Sequence, residues 1–315
     1  MYTIVDIDDP VEQEEQIIHA RRLKQYGPAA LEAGASVERI YVLFSEFKGG
    51  LEVFDRVFQL SKTLETPQGV LLSGPPGSSK TSLANYFIQS LPPDSLFEKG
   101  CGAIMLRLRA SPAQGHVISA LLHALKYPFT CVKRGRVFAM RDVAFEALKQ
   151  RGTRIVFVDQ AHCLSAQTRH RHIDVVESTA SDTFREMMEE AKVGLVLLAD
   201  SAFKGLEYVD RALDDRLSVK MTLSHFSDNG EWLGFLAAFV KAATSIDLQI
   251  LNTERIAKAT FVATDGNRRS FRRLIVEAVM IAVEEGQSAV SEAHLHKAFV
   301  AVNGRASPRC NPYAA

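Results

Sequence analysis

The stretch Ser73-Gly74-Pro75-Pro76-Gly77-Ser78-Ser79-Lys80-Thr81-Ser82 puts one ammonium and several hydroxyls on a turn of small, permissive residues. Backbone N–H groups around such a turn converge on one point, and a helix starting at its end adds its positive pole. Val70-Leu71-Leu72 before it reads as a buried strand, and the residues from Leu83 on read as a helix. Strand, Gly-rich turn and helix in that order form a phosphate cradle, or P-loop. Here the backbone from Gly74 to Ser82 surrounds the phosphates of ATP, Lys80 reaches the β- and γ-phosphates, and the Thr81 hydroxyl ligates Mg²⁺. The strict pattern has Gly immediately before the Lys; Ser79 stands there, which predicts a strained loop or weaker nucleotide binding.

A second constellation, Arg154-Ile155-Val156-Phe157-Val158-Asp159-Gln160-Ala161-His162, runs four apolar residues into an acid. This is a Walker B pattern, in which Asp159 at the end of its strand holds the Mg²⁺ shell beside the phosphate turn. The next residue is expected to be Glu, polarising the attacking water, and it is Gln160. A carboxamide keeps the shape but accepts no proton, so binding should survive while hydrolysis falls by about 10²–10⁴-fold. Two explanations fit: a protein that hydrolyses poorly by nature, or a Glu-to-Gln substitution that traps the ATP state. The intactness of the other catalytic parts favours the second. His162 reads as a polar group beside the Mg²⁺ site, since no His or Cys stands at ligand spacing from it.

The elements that must position these residues follow from hydrophobic patterning. Apolar runs at 69–73, 104–108, 155–159, 193–199 and 219–223 alternate with helical spacing, the signature of βαβ units on a parallel sheet covered on both faces. After about residue 226 only helical spacing remains, over 231–244, 253–263, 267–285 and 291–300, with Thr253 and Ser291 at N-cap positions. The expected organisation is an N-terminal arm over 1–45, an α/β nucleotide-binding domain over 46–225, a helical lid over 226–303 with Trp232 in its core, and a flexible tail over 304–315.

Together, Gly74-Pro75-Pro76-Gly77…Lys80-Thr81, Val158-Asp159-Gln160-Ala161-His162, Ala212-Leu213-Asp214-Asp215-Arg216-Leu217 and Asp265-Gly266-Asn267-Arg268-Arg269 resemble the motif set of AAA+ ATPases. Within that superfamily the chain resembles the TniB/TnsC transposition regulators, with IstB-like helicase loaders next. The resemblance implies an α/β P-loop AAA+ core with a five-stranded parallel sheet and a small all-helical lid. It implies that Asp200 is the polar sensor following the fourth strand, although Asp is unusual there. It implies that Arg216 is an arginine finger acting on a neighbouring subunit, with Arg211 the runner-up, and that Arg269 is the second sensor on the lid. A finger acting in trans implies a homo-oligomer, a ring or helical filament. The implied partners are double-stranded DNA, a DDE-type transposase and a TniQ-like target selector. A helicase or replication loader, and a nucleotide-gated scaffold without turnover, are the alternatives.

The chain of 315 residues carries 37 Lys and Arg against 37 Asp and Glu, which excludes binding of nucleic acid by bulk charge. The distribution is uneven. Asp6, Asp8, Asp9, Glu12, Glu14 and Glu15 precede the first basic residue, Arg21, whereas residues 131–154 carry seven basic residues against two acidic, a net of +5. Lys133, Arg134 and Arg136 are the leading DNA candidates, and Arg169 and Arg171 after the Walker B strand are second. The resemblance places both segments toward the channel of an AAA+ ring; the alternative is a solvated helix face with ordinary pairing. Four dispersed cysteines suit reduced thiols, and neither a signal peptide nor a run of 18 apolar residues occurs, so a cytoplasmic protein with no membrane span is expected.

Overall fold

The computed structural model describes residues 25–91, 102–110, 112–169, 180–203, 205–304 and 310–314, with the backbone alone at Arg134 and 166–169. Two compact units result, one of residues Leu43–His225 and one that joins residues up to Val42 with those from Phe226 onward.

In the second of these units helix α1 (Pro28–Glu38) begins with Pro in its first turn and buries Ala30, Ala33 and Val37. The larger unit begins with α2 (Ser45–Leu60). It continues through β1 (Gly69–Ser73), α3 (Lys80–Ser90), β2 (Ala103–Arg107), α4 (Gln114–Ala124), α5 (Val137–Gln150) and β3 (Ile155–Asp159). It ends with α6 (Ala180–Ala191), β4 (Gly194–Leu198), α7 (Arg211–Arg216) and β5 (Val219–Thr222). The five strands pair in parallel in the order β2-β3-β4-β1-β5. The α/β fold expected from the sequence is therefore present, with all five strands within a residue of the runs named above.

Strand composition follows position. The central strands Gly-Val-Leu-Leu, Ile-Val-Phe-Val and Gly-Leu-Val-Leu-Leu are buried on both faces and so read as unbroken apolar runs. Edge strand β5, Val-Lys-Met-Thr, alternates half-buried and exposed residues. Side chains on alternate positions divide between two layers. Phe157 meets Phe54 of α2 and Phe87 of α3, with ring centroids 5.0 and 5.7 Å away. Val156, Val158, Leu195 and Leu197 join the other core, with Ile118, Leu121, Phe145, Leu148, Phe184 and Met187. The sheet thus holds the C-terminal ends of β1 and β3 rigidly, and those ends carry the phosphate turn and Asp159.

The helical unit continues with α8 (Gly230–Ala242), α9 (Glu254–Thr264), α10 (Arg268–Glu284) and α11 (Glu292–Asn303). Its core centres on fully buried Trp232, whose ring lies 5.5–5.8 Å from Phe226, Phe235, Phe261 and Phe271 and whose Nε1 donates to Ala257 O at 3.1 Å. Ser291 caps α11 by accepting from His294 N. Thr253 sits at the expected cap position, yet its hydroxyl donates to Ile250 O at 2.7 Å and caps nothing. Asn229 and Asn267 do cap α8 and α10, each accepting from two backbone N–H groups. The turn before α10 requires Gly266, at φ +61°, because a β-carbon there would lie 2.1 Å from Phe226 O.

The expectation of a flexible tail over 304–315 is not met at its far end. Tyr313 is buried against Phe299, its hydroxyl lies 2.9 Å from Thr260 Oγ1, and Asn311 Nδ2 donates to His296 O. An aromatic ring provides enough apolar area to anchor a segment that has no periodicity of its own. Among the described residues no helix is long and apolar enough to cross a membrane, and Cys131, Cys163 and Cys310 are free thiols.

Candidate functional site

The phosphate turn is clamped between two strands. Ser201 N, just past β4, donates to Gly74 O at 3.1 Å, and Leu223 N, just past β5, donates to Ser73 O at 2.9 Å. Gly74 sits at φ +154°, and a β-carbon there would lie 2.3 Å from Leu223 O. Gly74→Ala is expected to cost about 2 kcal/mol or more, since backbone atoms on a clamped turn cannot yield cheaply; an unfolding midpoint equal to the parent's would contradict this clamp. Ser79 adopts φ +69°, the left-handed conformation that Gly normally supplies, so the departure from the strict motif is carried as local strain. Helix α3 then begins at Lys80 with no side-chain cap, its positive pole directed at the turn.

Lys80 folds back into the turn, with Nζ 2.6 Å from Gly74 O, 3.0 Å from Pro75 O and 3.3 Å from Ser78 Oγ. Thr81 Oγ1 lies 3.4 Å from Asp159 Oδ2, so the hydroxyl and the carboxylate expected to share Mg²⁺ converge. One hydroxyl and one carboxylate are the hard oxygen donors that ion takes from protein when substrate phosphates and water complete its octahedron. The residues present therefore fit the ion. Cys163, one turn on, has its thiol pushed up by burial and by the charge of Asp159. His162 is half-buried, and its Nδ1 has no hydrogen-bond partner among the described residues.

Gln160 points toward the end of β2. With its amide oriented to satisfy both ends, Nε2 donates to Leu108 O at 2.8 Å and the oxygen accepts from Arg107 Nη2 at 2.8 Å. Its backbone is left-handed at φ +60°, and its N–H donates to Asp159 Oδ1 at 2.9 Å. Asp200 Oδ1 accepts from Ala202 N at 3.0 Å, closing a turn that adjoins the phosphate loop through Ser201. His225 adds a contact that the motifs do not announce, its Nε2 lying 3.0 Å from Pro76 O.

Arg216 ends α7 with Nη1 donating to Ala212 O at 2.8 Å and Nη2 paired with Glu189 of α6. Arg211, at the start of α7, is exposed and makes no ion pair among the described residues. Arg269 is exposed in the first turn of α10, in the helical unit. The basic segment after α4 divides into two groups. Arg141 pairs with Asp142 and Glu186, Lys149 with Glu146, Arg151 donates to Leu125 O, and Arg154 lies over the Phe58 ring at 5.0 Å. Lys133 and Arg136 are exposed and unpaired among the described residues, on a short 3-10 turn, Arg134–Arg136. Of the other DNA candidates, the side chains of Arg134 and Arg169 are outside what is described, and Arg171 lies outside the described residues altogether.

Three participants are not evident from the sequence: Arg107, His225 and Glu189. Each acts through a partner distant in the chain. Only Arg107, a charge at the C-terminal end of an apolar strand, leaves a visible signal.

Comparison with known proteins places this geometry. The family described as bacterial TniB protein matches residues 38–222. No curated protein matches. Among solved structures, the Aeropyrum pernix ORC2 protein in ADPNP–ADP complexes is similar with a TM-score of 0.60 at 14% identity, over 87% of this chain and 72% of that one. The Aeropyrum pernix ORC1 protein in complex with DNA gives 0.59 at 18% identity, over 83% and 66%. CDC6P from Pyrobaculum aerophilum gives 0.53 at 16%, over 84% and 69%. At these identities the likeness shows the fold alone.

Proposed function

The chain belongs to the TniB family of bacterial proteins, and from that premise we propose that it is an ATP-dependent AAA+ regulator of DNA transposition. In this reading it oligomerises on target double-stranded DNA and recruits a DDE-type transposase, with a TniQ-like protein selecting the target. The observation that carries ATP dependence is the convergence of Lys80, Thr81 and Asp159 at the ends of β1 and β3.

Lys80 would exchange the Gly74 and Pro75 carbonyls for the phosphates of ATP, since a charge-assisted pair outweighs a carbonyl dipole. Thr81 and Asp159 would hold Mg²⁺, whose charge offsets that of the β- and γ-phosphates when bound. Asp200, on the turn tied to Gly74, is assigned the sensor role, and Arg269 that of the lid's reporter. Arg216 is assigned as the finger, which requires it to leave Glu189 for a neighbour's γ-phosphate; Arg211 needs no such exchange and stays the runner-up. Gln160 keeps nucleotide binding and slows hydrolysis, so ATP-loaded assemblies persist on DNA. The pairing of Gln160 with Arg107 and Leu108 also favours a second reading, a nucleotide-gated scaffold without turnover.

DNA contact is assigned to the turn bearing Lys133, Arg134 and Arg136, with Arg169 and Arg171 in support. Duplex affinity measured with ATP against salt tests this. Replacing Lys133 and Arg136 by Ala is expected to lower the slope of log affinity on log salt by about 0.9 for each phosphate that is no longer neutralised. An unchanged slope removes the turn from the DNA surface, and tighter binding to single strands than to duplex would favour a loader.

A further inference from the structure

The segment after α4 and the first turn of α5 expose two aromatic rings that the core does not use: Phe129 is 72% exposed and Phe138 60% exposed. One exposed ring is ordinary, but two so near in sequence and beside a basic turn mark a candidate contact surface. Their backbone is well anchored. Tyr127 N donates to Leu122 O at 2.9 Å, and Ser119 Oγ donates to Thr130 O at 2.7 Å. Val132 and Val137 both turn inward onto the same point of α4, since a β-carbon at Gly115 would lie 3.7 Å from Val132 Cγ1 and 3.8 Å from Val137 Cγ2. Both valines pack on the buried core. Among the residues left outward are Phe129, Lys133, Arg136 and Phe138. Phe138 is also braced, with the Arg141 guanidinium 5.9 Å from its ring centroid.

The surrounding charge selects the partner. From Lys99 to Arg141 the sequence contains no Asp or Glu, while Lys126, Lys133, Arg134 and Arg136 lie within or beside this segment; the acids near Phe138, Asp142 and Glu186, are both paired with Arg141. Rings meant for a second copy of the chain or for an apolar peptide would not need an excess of unpaired basic residues beside them. A polyanion that also presents flat apolar faces fits both features, and nucleic acid is that ligand. We propose that Phe129 and Phe138 are an aromatic wedge for DNA: Lys133 and Arg136 fix the segment on phosphates while the rings contact bases, partly unstacking the duplex. This inference rests on the DNA-binding reading above and adds to it a non-ionic contact. Stacking depends on a π face common to all bases, so the wedge grips DNA without choosing a sequence.

The test is equilibrium binding of the full chain, with ATP, to a duplex containing 2-aminopurine, across a salt series. Phe129→Ala and Phe138→Ala are each expected to weaken binding about tenfold at every salt concentration, leaving the salt slope unchanged. 2-Aminopurine emission should rise with the parent and with Phe129→Tyr, and stay flat with Phe129→Ala. Melting temperatures should move little, because both rings are mostly exposed. Parental affinity and emission in both Ala variants, with the parent showing its normal salt slope, would sink the wedge and leave the DNA reading standing. A parent that fails to bind duplex at all would sink the DNA reading and the wedge with it. Loss of ATP-driven assembly without DNA in the Phe variants would place the rings between copies of the chain and overturn the inference.

Discussion

Lys80→Ala is expected to weaken ATP retention by about 10–100-fold and to abolish ATP-driven assembly. The Lys80 ammonium is the one positive side chain inside the phosphate turn, held by Gly74 O, Pro75 O and Ser78 Oγ. Hydrogen bonds to charged groups contribute about 1.5–3 kcal/mol each, which sets the range. Because the turn is clamped by Ser201 and Leu223 through backbone bonds, the substitution should leave the fold intact, and the melting temperature without nucleotide should match the parent's. Direct titration with a fluorescent ATP analogue reads the affinity. Parental retention would mean that the backbone of the turn holds the phosphates alone and that Lys80 has another role.

Gln160→Glu is expected to raise ATP hydrolysis by about 10²–10⁴-fold in the presence of duplex. The carboxylate supplies the proton acceptor that the carboxamide lacks. It also cannot donate to Leu108 O, so the bond that holds the Gln160 side chain toward β2 at 2.8 Å is broken. Phosphate release under saturating ATP measures the effect. A variant as slow as the parent would assign Gln160 to a scaffold that was never built for turnover, and would make the Arg107 and Leu108 contacts its reason for being Gln.

Much of this is legible in the sequence because local chemistry and tertiary role coincide there. The phosphate turn needs Gly, Lys and Thr in one short segment, and central parallel strands need unbroken apolar runs, so β1, β3 and β4 announce themselves. The pairings do not. Glu189 with Arg216, His225 with Pro76 and Arg107 with Gln160 each join segments far apart in the chain; nothing local marks Glu189 or His225 as a partner, and Arg107 shows only as a charge ending an apolar strand. The same holds for the basic segment: net charge marks 131–154, but only the structure separates Arg141, Lys149, Arg151 and Arg154, which have partners inside the chain, from Lys133 and Arg136, which face water. Tyr313 gives no signal because a single anchoring ring leaves no periodic trace.

The central claim, that ATP binding at Lys80, Thr81 and Asp159 drives assembly on DNA, is tested most directly by sedimentation of the chain with duplex under three conditions: ATP, ADP and no nucleotide. Large protein–DNA particles with ATP alone, absent for Lys80→Ala, are the predicted result. Particles of one size in all three conditions, or a chain that stays monomeric on duplex with ATP, would contradict it.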